Sequence, residues 1–111
     1  MFVEEKTQGE VGLDEASKIL LKAASLIEER GWCQHALETH EGRMCANGAV
    51  WIAAGRPVSK DGVPPPEWHL TYRAARTRLW SSVGHVHDWN DAKDRTQAEV
   101  VAKLRAVALG L

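Results

Sequence analysis

Nowhere does the chain run to the roughly 20 consecutive apolar residues that a membrane-spanning helix requires. Its first twelve residues carry Glu4, Glu5 and Glu10 where a secretory signal would be basic and then apolar. Both absences point to a cytoplasmic protein without a membrane partner. Cysteine is scarce: Cys33 and Cys45 are two in 111 residues, too few for a disulfide scaffold, and in a reducing compartment both are expected as thiols. Charge of one sign is lacking as well. Fourteen Lys and Arg against fifteen Asp and Glu leave a net charge of -1, so no overall field gathers nucleic acid or an anionic membrane. Runs of alternating β-branched residues are missing, which argues against a sheet and leaves room for at most a short hairpin in the loops.

What is present is an ordinary globular mixture, 44% hydrophobic and 26% charged, which separates the chain from disordered proteins. Five tryptophans outnumber Phe and Tyr together, and each is either a core anchor or, if exposed, a contact residue. Residues 1–12 show no periodicity and read as a flexible leader to a single helical domain over 13–111.

Within that domain the period of the apolar residues predicts four helices. Ala16, Ile19, Leu20, Ala23 and Ile27 define the first, from Asp14 to Arg30, with Asp14 as N-cap and Gly31 as C-cap. Residues 32–43 read as an irregular loop or hairpin with a turn at Glu41 and Gly42. The Ala-rich stretch from Cys45 to Gly55 reads as a short buried helix, followed by an extended connector ending in three prolines at 64–66. Trp68, Tyr72, Ala75, Leu79 and Val83 share one stripe of a third helix, from about Pro66 to Val83, with His69, Arg73, Arg76 and Trp80 on the neighbouring stripe. After an expected loop at 84–95, Thr96 and Glu99 form a capping box for a last helix whose apolar face is Val100, Val101, Leu104, Val107 and Ala108. The expected fold is all-α, a compact bundle of about four helices joined by irregular loops.

Three segments carry a resemblance: RGWCQ after the first helix, CANGAVWIAAG opening the second, and WNDAKDRTQAEVVAKLRAV leading into the last. They make the chain similar to a family of small helical proteins of unknown function from actinobacteria and their bacteriophages. The corresponding positions are Trp32, Gln34, Cys45, Gly48, Ala49, Trp89, Asn90, Asp91, Arg95, Thr96, Glu99 and Val100. The resemblance implies a shared fold and a phage or mobile-element setting, and no activity. Asn47 departs from it, standing where relatives carry an apolar residue, and so does the connector at 60–66.

Four candidate sites follow. Trp89, Asn90 and Asp91 precede a capped helix, where Asn and Asp side chains commonly satisfy backbone groups, so an Asx turn stapled by a buried Trp is the scaffolding reading. The functional reading is a pocket lined by Gln34, Asn90 and Asp91, walled by Trp32 or Trp89, with Arg95 as anion anchor. Cys33, His35, His40 and Cys45 supply four potential metal ligands, but the spacing C-x-H-x4-H-x4-C matches no common zinc arrangement, and His85, His87 and Asp88 read as a solvated loop. No metal or other cofactor is therefore assigned. Cys45 near a helix N-terminus, with His85 as base, would suit a cysteine-dependent hydrolase, but a histidine of such enzymes sits on a sheet this chain lacks. No catalytic residue is assigned either.

The fourth candidate is the stripe of the third helix. His69, Arg73 and Arg76, with Arg78 nearby, would contact phosphates, but a neutral protein pairs such arginines with its own carboxylates more often. Trp80 among the arginines turns the same stripe into a protein-docking surface, since Trp and Arg dominate interface energetics. The expected function is accordingly a non-enzymatic protein-binding or regulatory accessory, with Arg73, Arg76 and Trp80 as contact residues. The alternative is a small-molecule or metal-binding helical domain, and a cysteine-dependent hydrolase stands third.

Overall fold

Helix α1, Glu15–Arg30, lies at the centre of the fold in a computed structural model that describes residues 14–55 and 67–111. The leader and the proline connector fall outside the described residues. Both expected caps form: the Asp14 carboxylate accepts the Ser17 N–H at 2.9 Å, and Gly31, at φ +103°, donates its N–H to Ile27 O at 2.7 Å. Ala16, Ile19, Leu20, Ala23, Ala24 and Ile27 are all buried on one face. A face so broad lets α1 pack simultaneously against three neighbours: α2 (Ala46–Ala53), α3 (Trp68–Val83) and α5 (Gln97–Ala108).

Small residues decide how α2 sits. Seven of its eight residues are buried, Trp51 being the exception, and the Cys45 sulfur caps it by accepting the Gly48 N–H at 3.3 Å. Gly48 is required by close approach: a Cβ there would lie 2.1 Å from the Leu37 carbonyl oxygen, because the 31–45 loop folds directly over the helix. That loop turns back on itself through Met44 N–H to Gly31 O, Cys33 N–H to Met44 O and Thr39 N–H to Arg43 O. Gly42, at φ +88°, makes the expected turn. Only isolated bridges result, so no strand occurs among the described residues.

On α3 the expected inward stripe holds, with Ala75 and Leu79 buried and Trp68, Tyr72 and Val83 packed against the core. Arg78 leaves this helix to clamp the start of α1, its guanidinium bonded to Asp14 Oδ1 and Oδ2 at 3.1 and 2.6 Å and to Ser17 Oγ at 2.6 Å. The stretch expected as a loop at 84–95 contains a further helix, α4, Val86–Asn90. It is one turn long, and its inward side is just Val86 and Asn90, so no apolar period marks it. The capping box at α5 is complete: Thr96 Oγ1 accepts the Glu99 N–H at 3.2 Å and Glu99 Oε1 accepts the Thr96 N–H at 2.9 Å.

Candidate functional site

Asn90 is the most committed polar side chain of the fold. It is 1% exposed, and its Oδ1 accepts from Trp32 Nε1 at 2.8 Å and from the Ala46 N–H at 2.9 Å, while its Nδ2 donates to Cys33 O at 3.2 Å and Asp91 Oδ1 at 2.9 Å. An amide has two donors and two acceptor sites, and here all four are used. Gln34 reinforces the junction, donating from Nε2 to the carbonyls of Asn90 and Ala92 at 3.1 and 2.9 Å. Asp91 Oδ1 accepts the His35 N–H at 3.0 Å, holding His35 at a φ of +67° that few side chains adopt. Burial acts to raise the Asp91 carboxyl, but the His35 N–H, the Asn90 amide and the nearby His35 and His87 rings outweigh it and hold the group below its ordinary range. Arg95 closes the motif by donating Nε to Trp89 O at 2.8 Å, with its guanidinium 4.4 Å from the Trp89 ring centroid.

Thus Trp32, Gln34, Asn90 and Asp91 are brought together, while Trp89 and Arg95 pair beside them. The arrangement is a staple between the start of α2, the 31–45 loop and α4, rather than a local Asx turn. The whole hydrogen-bonding capacity of the Asn90 amide, and the Nε2 donors of Gln34, are directed at the chain itself. Asp91 borders a cleft of about 410 Å³ with His35, Cys45 and His87.

That cleft has the residue types of a thiol nucleophile site without its geometry. Burial pushes the Cys45 thiol above its ordinary pKa, and its sulfur is bonded to the Gly48 N–H, not to an imidazole. Burial likewise raises Cys33, which donates to the Ala36 and Arg43 carbonyls at 3.3 and 3.7 Å. His85 packs on Trp80, ring centroids 4.9 Å apart. Among the described residues no three His, Cys, Asp or Glu side chains converge as metal ligands.

The α3 stripe presents a different chemistry. Of its arginines, Arg78 is neutralised by Asp14, whereas neither Arg73 nor Arg76 forms an ion pair with a carboxylate among the described residues. Arg76 instead lies 5.5 Å from the ring centroid of Trp80, which is 41% exposed. The result is a cationic strip with an indole at one end.

Sequence reasoning missed the hollow beside that strip. Trp51 of α2 and Trp68 and Tyr72 of α3 border a cleft of about 400 Å³ with Asn47 and Arg73. Trp68 and Tyr72 were assignable only to the core stripe, and the polar residue at position 47 was the one signal in the sequence.

Residues 13–109 match the DUF6197 family, a family of unknown function. The chain belongs to that family. No curated protein and no solved structure shows a significant match to it. The DUF6197 match covers both the staple and the α3 stripe and carries no activity with it. No helix among the described residues is long and apolar enough to cross a membrane.

Proposed function

We propose that the chain is a non-enzymatic binding protein that docks an acidic segment of a protein partner along α3, through Arg73, Arg76 and Trp80. One observation carries the reading: Arg78 has a carboxylate partner, whereas Arg73 and Arg76 have none among the described residues, and a half-exposed indole completes their strip. Within a near-neutral protein, unpaired arginines beside Trp are the composition of interface centres, where a partner's carboxylates meet guanidinium groups and an apolar side chain covers the indole. The resemblance to phage and mobile-element proteins adds the setting, a small accessory that acts on a host protein.

The test is affinity capture from host lysate with tagged wild type and an Arg73→Glu, Arg76→Glu double variant, with bound proteins identified by mass spectrometry. The reading expects one host protein captured by wild type and lost by the variant, with acidic residues cross-linked to α3. Capture that survives charge reversal in a folded variant removes it.

A further inference from the structure

We propose that the cleft walled by Trp51, Trp68 and Tyr72 binds a small planar aromatic anion, an aryl ring carrying a carboxylate or a phosphate. Trp51 and Trp68 both pack against Tyr72, each with its ring centroid 6.3 Å from the Tyr72 centroid and its plane tilted by 38° or 41°. Three aromatic side chains thus border a cleft of about 400 Å³ that opens to solvent, a lining that suits a flat apolar group.

Two polar features orient that group. Asn47 is 6% exposed and borders the cleft; its Oδ1 accepts from Tyr72 Oη at 3.2 Å, and its amide NH2 meets no acceptor among the described residues. Buried amide donors are normally paired, so one that meets no acceptor among the described residues, at the wall of a cleft, is where a ligand oxygen or nitrogen fits. The second feature is charge. Among the described residues the basic side chains bordering the cleft are Arg73, His69 and His87, and no carboxylate borders it, so an anion is attracted and a quaternary ammonium repelled despite the aromatic walls. An inorganic anion would leave the three rings unused, and a neutral aryl group would leave Arg73 unused.

This site stands apart from the docking strip, sharing Arg73 but neither Arg76 nor Trp80. The experiment is a calorimetric titration of the intact protein with indole-3-acetate and adenosine monophosphate, each beside its uncharged counterpart, indole-3-acetamide and adenosine. At least one anion is expected to bind at least about tenfold more tightly than its neutral counterpart, the worth of one charge-assisted hydrogen bond. Which one binds tells carboxylate from phosphate. Asn47→Leu and Arg73→Gln are each expected to weaken binding about tenfold, and Arg76→Gln to leave it unchanged. If Asn47→Leu does not fold, Arg73→Gln on the exposed face of α3 carries the comparison. The proposal is overturned if neither anion binds at millimolar concentration, if the neutral counterparts bind equally well, or if the folded variants bind as wild type does. Because Arg76→Glu reverses a charge of the docking strip without touching the cleft, failure of one proposal is visible independently of the other.

Discussion

The Trp32 indole donates its N–H to Asn90 Oδ1 across 58 residues of chain, and the same oxygen receives the first backbone N–H of α2. One side-chain atom therefore ties the end of the α1 region to α2 and α4. Replacing Asn90 with Ala leaves the buried Ala46 N–H and the half-buried Trp32 Nε1–H without this partner and opens a hole in the staple. The expected cost is about 3 kcal/mol, a fall in Tm of roughly 10 °C or more. Thermal unfolding of Asn90→Ala checks this, and a change of only a degree or two would mean the staple is incidental.

Gly48 makes a second, sharper demand. Alanine is the better helix former, yet its Cβ would sit 2.1 Å from the Leu37 carbonyl oxygen, a backbone atom with no rotamer to move aside. The overpacking outweighs the gain in propensity, so Gly48→Ala should destabilise by about 2 kcal/mol, read from its urea midpoint. A neutral or stabilising outcome would show that the 31–45 loop lies further from α2 than described.

Acid sensitivity should centre on Asp14. The Arg78 guanidinium, and after it the Ser17 N–H, hold its carboxyl well below the ordinary range. A group whose pKa is depressed on folding contributes stability that is complete above its unfolded value, about 4, and is lost as the pH falls from there towards the folded value. Asn at position 14 keeps a cap but titrates nothing. Asp14→Asn should be less stable than wild type at pH 6, and the gap should narrow between pH 4 and pH 2 in melting curves. A gap independent of pH would place the contribution elsewhere.

The helices with both ends marked were legible in advance. Asp14 and Gly31 bracket α1, and the Thr96 and Glu99 box opens α5, because caps are local in sequence and their signals need no knowledge of the fold. Helix α4 was not legible, since a single turn with Val86 and Asn90 inward shows no period. The staple was visible as a motif and hidden as a mechanism: Trp89, Asn90 and Asp91 pointed to satisfied backbone groups, but the groups bonded belong to Trp32, Cys33 and Ala46, more than forty residues away. Spacing cannot report such partners. The same holds for the aromatic cleft, where Trp51 and Tyr72 come from different helices and only the polarity of Asn47 hinted at the space between them.

Docking of a protein partner is proposed for the α3 strip and not for the Asn90 staple. It is tested most directly by capturing host protein with the Arg73→Glu, Arg76→Glu double variant after recording its melting curve on the same preparation. Neither arginine has a carboxylate partner to lose among the described residues, so the account predicts a Tm close to wild type together with loss of the captured protein. A variant that melts like wild type and still captures the same protein contradicts it.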